Sequence, residues 1–155
     1  MTEAQKSNRR LIIIFIIALI IALLPWFVLA QSPIAKEKFN LQPQGENQAG
    51  YTQAVKVGNT IYVSGTVARG PMNEAIKKVY STLELTLKNY NATLQHVVKE
   101  NLHTTQLDEV IKHQDVRKEF YKGDYPTATW VEIKRLYSPD AVLEVEVVAV
   151  LPDQR

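Results

Sequence analysis

The chain has 155 residues, a formal net charge of +2, 46% hydrophobic residues and no cysteine. That length holds one ordinary domain plus a short addition, and the lack of cysteine excludes disulfides, thiolate nucleophiles and Cys-type zinc sites. Lys6, Arg9, Arg10 and Glu3 all precede residue 31, so the remainder is neutral and lacks the basic bias of a nucleic-acid binder.

Residues 1–30 have the layout of a signal peptide or an N-terminal membrane anchor. Arg9-Arg10 form a positive start, and residues 11–30 are all apolar apart from Pro25. Pro25 is expected to break the helix of the apolar run, because it lacks an N–H and its ring clashes with the preceding turn. Val28-Leu29-Ala30 resembles a signal-peptidase site, which favours cleavage after Ala30. Uncleaved, residues 11–30 are long enough to span a hydrocarbon core of about 30 Å, so the membrane becomes a partner through that segment. In both cases the expected location is extracytoplasmic: periplasmic or secreted if cut, anchored to the membrane if not.

Residues 31–49 read as a linker, with Pro33, Pro43, Gly45 and many Gln and Asn but no sustained period. The domain proper is expected over residues 50–152. It opens with a β-hairpin. Gln53, Val55 and Val57 alternate with Ala54 and Lys56, and Ile61 and Val63 alternate with Tyr62 and Ser64. The Gly58-Asn59 step between the two runs is the turn. Tyr51 enters this hairpin and Ser64-Gly65 leaves it, so polar groups can converge near one edge.

A short connection over residues 66–71 leads to a helix. Met72, Ile76, Val79, Leu83, Leu87 and Tyr90 form one apolar stripe. Asn91 suits its end, since Asn tolerates a left-handed backbone. Residues 96–105 read as a strand. Asp108 can cap a second helix carrying Ile111, Val116 and Phe120. A strand around residues 129–133 follows. The last strand, over residues 142–151, puts Leu143, Val145, Val147, Ala149 and Leu151 on one face. Its other face mixes Glu144 and Glu146 with Val142, Val148 and Val150. The order β-β-α-β-α-β-β predicts an α+β fold, a mixed sheet with both helices on one face. The valine-rich second face calls for burial against other copies.

The run Tyr-x-Gln-Ala-Val-x-Val-Gly-Asn-x-Ile-Tyr-Val-Ser-Gly from Tyr51 to Gly65 resembles the opening of the RidA family, also called the YjgF or reactive intermediate deaminase family. His96-Val97-Val98-Lys99, Tyr125-Pro126, Val131-Glu132, Arg135-Leu136 and Leu143-Glu144-Val145-Glu146 extend the likeness over residues 49–151. The resemblance implies a chorismate-mutase-like fold and a homotrimer with inward-facing sheets. It also implies three interface pockets that take a small metabolite, with no cofactor. Family enzymes hydrolyse 2-imino and enamine acids such as 2-aminoacrylate. An arginine clamps the substrate carboxylate there, and a glutamate places the attacking water. An arginine suits this task because its planar fork gives two parallel charged hydrogen bonds.

In this chain Ala128 stands at the position of that arginine, and Trp130 where a small residue is usual. Gln114 stands where Asn is frequent. Glu144 keeps the glutamate position, while Tyr51, Ser64 and Gly65 keep the pocket entrance. The candidate ligand-binding set is therefore Tyr51, Ser64, Gly65, Gln114, Ala128, Trp130 and Glu144, with Glu144 the catalytic candidate. Arg69, Arg117 and Arg135 are each able to supply a carboxylate contact from another direction. Structural readings stand beside these: Glu144 and Glu146 as an interface pair, Tyr51 as packing, and Trp130 as an interface anchor. His96, His103 and His113 have no metal-ligand spacing, so no metal is expected. Ser64 has no local base.

The expected function is an exported RidA-like trimer that binds a small metabolite, its imine deaminase activity weak or lost. Two alternatives are open. One is an active 2-iminobutanoate/2-iminopropanoate deaminase with a relocated cation. The other is a structural or chaperone-like trimer. A nuclease reading is disfavoured by the neutral domain, and no nucleic acid is expected as partner.

Overall fold

The computed structural model describes residues 3–28 and 33–153. The chain divides into two units, Met1–Ile34 and Ala35–Arg155. The first unit is a single helix, α1 (Glu3–Val28). It opens on polar residues, with Lys6 donating to Glu3 at 3.1 Å. The helical backbone continues past Pro25 and ends at Val28. Pro25 removes one backbone hydrogen bond, and less than one further turn follows it.

Among the described residues, no helix is long and apolar enough to cross a membrane. This corrects the transmembrane and signal-peptide reading of residues 11–30, and with it the membrane as a partner. The expected location as a membrane-anchored protein is corrected with it, and the extracytoplasmic reading loses the support of that segment. The expected cleavage point after Ala30 lies outside the described residues.

The second unit is built on a six-stranded mixed sheet in the order β1-β2-β3-β6-β4-β5. Its strands are β1 (Glu37–Phe39), β2 (Ala54–Val57), β3 (Thr60–Ala68), β4 (Val97–Thr104), β5 (Thr127–Glu132) and β6 (Leu143–Val150). Only the β4–β5 pair is parallel. The segment read as a linker belongs partly to this unit. β1 adds to the edge of β2, pairing Lys38 with Val55. α2 (Pro43–Ala49) starts on a proline and ends at Gly50, whose φ of 78° closes the last turn.

The hairpin lies where its alternation puts it. Val57 pairs with Thr60, and Gly58 supplies a positive φ of 59° at the turn. β3 runs on through Ala68, into residues expected to be a connection, because Thr66, Val67 and Ala68 find partners on β6. α3 (Met72–Lys88) buries the predicted stripe as far as Leu87; Tyr90 is buried just beyond the helix end, and Asn91 takes the left-handed conformation with φ of 55°. The second helix is two: α4 (Leu107–Lys112) and α5 (Gln114–Tyr121), broken at His113. Gln106, not Asp108, occupies the cap position, without a side-chain bond.

The core lies between α3 and one face of the sheet. Ile61, Val63, Leu102, Leu143, Val145 and Val147 meet Ile76, Val79, Leu83 and Leu87, all buried. The opposite face carries Lys99, Asn101 and His103 of β4 beside Val148, Glu146 and Glu144 of β6, since each of these residues is paired with its neighbour across the ladder. Tyr62 and Val131 stand exposed on that face.

Candidate functional site

The site begins as a fault in the sheet. Val63 pairs with Val147, but the next pair is Thr66 with Val145, so β3 holds one extra residue there. Such a bulge frees side chains and backbone from the regular ladder. Ser64 and Gly65 occupy it. The Ser64 N–H donates to the Gln53 carbonyl at 2.9 Å, and its hydroxyl donates to the Thr52 carbonyl at 2.7 Å. Gln53 Nε2 donates to Thr66 Oγ1 at 3.2 Å and ties the hairpin across the fault.

Gly65 leaves room for what lies on it. A Cβ there would stand 1.9 Å from Glu144 Oε1, 2.7 Å from its Cδ and 2.9 Å from its Cγ. The Glu144 side chain is therefore laid across the bare backbone of the bulge. Two clefts open on either side of this carboxylate. The larger, about 460 Å³, is lined by Glu46, Tyr51, Ser64, Val67 and Tyr137. The smaller, about 240 Å³, is lined by His103, Ile133, Arg135 and Glu146. Gly65, Tyr137 and Glu144 border both. Burial, and then the charges of Glu46 and Glu144, push the Tyr51 phenol above its ordinary range. Tyr51 thus stays a hydrogen-bond donor at neutral pH.

Tyr51 is buttressed by a residue the sequence reading missed. Glu46 of α2 is buried. It accepts from the Gln42 N–H, from Asn40 Nδ2 and, at 3.2 Å, from the Gln53 N–H. A proline-started, glycine-ended segment carrying a glutamate was the available signal, and the loop-like composition hid it.

A second polar cluster sits on the helix-covered face. Glu100 is fully buried. It accepts from Tyr80 Oη at 2.8 Å, Tyr121 Oη at 2.7 Å, Trp130 Nε1 at 2.9 Å, and Arg117 Nε at 3.0 and 3.2 Å to its two oxygens. The Arg117 guanidinium carbon lies 4.6 Å from the Tyr121 ring centroid and 5.0 Å from that of Trp130. Burial keeps the Tyr80 and Tyr121 phenols protonated, and the negative Glu100 adds to this. Burial disfavours the Arg117 charge, but Glu100, Tyr80 and Tyr121 together outweigh it and the pKa rises. No buried side-chain polar atom among the described residues lacks a partner, as a buried ion pair requires. The signal for this cluster was Glu100 in phase with Leu102 and Thr104 on the buried face of β4.

The candidate residues thus fall into two groups. Tyr51, Ser64, Gly65 and Glu144 come together around the bulge. Ala128 and Trp130 pair laterally with Glu100 and Leu102, so they lie on the face opposite Glu144. Gln114 begins α5 and lines neither cleft.

The sequence model of a family described as Endoribonuclease L-PSP matches residues 42–151, well over half of the chain. The chain belongs to the RidA/YjgF family. A RutC family protein of Pyrococcus abyssi is 31% identical over 108 residues, covering 64% of this chain and 84% of that protein. A 2-iminobutanoate/2-iminopropanoate deaminase of Dermatophagoides farinae is 27% identical over 110 residues, covering 65% and 85%. The fold is shared with a YjgF/YER057c/UK114 family member of Mycobacterium tuberculosis at a TM-score of 0.70 and 23% identity, over 76% of this chain and all of that one.

Measured against the RidA pattern, Ala128 is an exposed methyl on the edge strand β5, and the three arginines differ sharply. Arg69 donates through Nε to Asp140 on the surface, and that bond holds the Asp140 carboxyl below its usual range. Arg117 is spent on Glu100. Arg135 lines the smaller cleft beside Glu144.

Proposed function

We propose that this RidA-family chain binds a small 2-oxo or 2-imino acid beside Glu144 and hydrolyses the imino acid slowly. The reaction adds water to the C=N carbon and releases ammonia, leaving the 2-oxo acid. Glu144 orients the water and accepts its proton as the C–O bond forms, and the proton passes to the departing nitrogen. Beside Glu144, Tyr51 can donate a hydrogen bond to the reacting C=N group, and the Ser64 hydroxyl, whose proton goes to the Thr52 carbonyl, can accept one. The rate is low because Ala128 supplies no cation at the position of the family's clamp, which leaves the substrate carboxylate to a cation outside that position. A charge-assisted contact of that kind contributes roughly 1.5 to 3 kcal/mol, so its loss lowers kcat/KM about tenfold to a hundredfold.

The observation that carries this reading is the Glu144 carboxylate laid on Gly65, with Tyr51 and Ser64 lining the same cleft. A homotrimer is part of the proposal. Tyr62 and Val131 are exposed on the face that carries Glu144, and a closed ring of copies would cover them with one type of surface. Such a ring also offers a way to unite the two residue groups, with β5 of one copy closing the Glu144 cleft of the next. The test is hydrolysis of 2-iminobutanoate by the full-length chain and by Glu144→Gln. The expected result is a slow enzymatic rate in the first and none in the second. Equal rates in both would refute the role of Glu144.

A further inference from the structure

The proposed substrate is an anion, yet three carboxylates, Glu46, Glu144 and Glu146, border the two clefts. An anion enters such a place only if a cation meets it. Among the described residues lining the two clefts, the permanent cation is Arg135. Of the other two candidate arginines, Arg69 is bound to Asp140 and Arg117 is buried on the opposite face against Glu100.

We propose that Arg135 holds the substrate carboxylate, making the smaller cleft the carboxylate subsite; this rests on the functional reading above. Four observations support it. Arg135 is exposed and forms no ion pair within 4.0 Å with a carboxylate among the described residues, so its fork is available. Its backbone is pinned on both sides, because the Ile133 N–H donates to the Thr104 carbonyl at 2.8 Å and Leu136 is buried. One of the competing carboxylates is already engaged, since Glu146 Oε1 accepts from Asn101 Nδ2 at 2.7 Å. His103 sits directly across the ladder from Glu144 and adds a further donor to the same cleft.

The arrangement also orders the ligand. A carboxylate bound by Arg135 puts the adjacent carbon beside Glu144, which borders both clefts. The substrate side chain then points into the larger cleft, toward Val67, Tyr51 and Tyr137. A space of about 460 Å³ takes more than a methyl group, so the class expected is 2-imino and 2-oxo acids with a side chain longer than methyl. A guanidinium serves better than an ammonium here because two parallel bonds fix the plane of the carboxylate.

The test uses the full-length chain, with binding of 2-oxobutanoate and of the uncharged 2-oxobutanamide followed by calorimetry or NMR. Arg135→Gln is expected to weaken 2-oxobutanoate at least tenfold and leave the amide unchanged. Arg135→Lys should recover part of the loss, and Arg69→Gln should match the wild type. If Arg135→Gln binds 2-oxobutanoate as tightly as the wild type, or weakens acid and amide equally, the assignment of Arg135 is wrong. The functional reading then survives, provided that Glu144→Gln still abolishes hydrolysis. If the wild type binds no 2-oxo acid at all, both fall together.

Discussion

Replacing Gly65 with alanine tests the geometry of the site with a single methyl group. The new Cβ would lie 1.9 Å from Glu144 Oε1, whereas ordinary contact needs about 3.4 Å. The carboxylate must therefore move by about 1.5 Å. It can do so, because the side chain is flexible and half-buried, so the stability cost belongs to the overpacking range of about 1–3 kcal/mol. The functional cost is larger: a misplacement near 1 Å costs on the order of a hundredfold in rate. Thermal unfolding and 2-iminobutanoate hydrolysis, measured on the same samples, separate the two effects. The expected outcome is a Tm lower by a few degrees for each kcal/mol and kcat/KM lower by about a hundredfold. A double-mutant cycle isolates the cause, since Gly65→Ala should cost little stability once Glu144 is also alanine. Full activity in Gly65→Ala, or the same stability loss in both backgrounds, would refute the reasoning.

Three further outcomes are expected. Trp130→Phe removes one donor from the buried Glu100 carboxylate and should cost about 1–3 kcal/mol of stability, read from denaturant unfolding; a neutral substitution would show that the Trp130–Glu100 bond contributes nothing. Tyr80 and Tyr121 hold their protons above the ordinary phenol range when folded, so the folded state binds more protons than the unfolded one once the pH exceeds about 10. Stability should therefore fall as pH rises through that value, and the loss should shrink in Tyr121→Phe. Sedimentation of the full-length chain at micromolar concentration should give a trimer, and a monomer would contradict the proposed assembly.

How much was legible in the sequence depended on how local the cause was. The hairpin, the α3 stripe and the buried face of β6 follow from periodicity, and they are found where that periodicity puts them. Asn91 ends its segment left-handed because the residue type allows it. By contrast, the break at His113 is not carried by propensity. Beyond it α5 presents Arg117 and Tyr121 to Glu100, which no local pattern announces. Segment 31–49 looked like a linker because its strand is three residues long and its helix seven, and both gain their stability from β2 and from the Glu46 bonds. Ala128 and Trp130 are two apart on a strand and so share a face, but which face it is depends on the parallel β4–β5 register. That register sets them beside Glu100, not Glu144. The apolar run at residues 11–30 invited a membrane reading that the described helix does not sustain.

The central claim is that the carboxylate laid on Gly65 marks the place where the ligand binds. A crystal structure of the full-length chain soaked with 2-oxobutanoate tests it most directly. The account predicts the ligand's keto carbon beside Glu144 and its carboxylate on Arg135, with Trp130 still bonded to Glu100. A ligand bound elsewhere, or clefts that stay empty at saturating concentration, would contradict it.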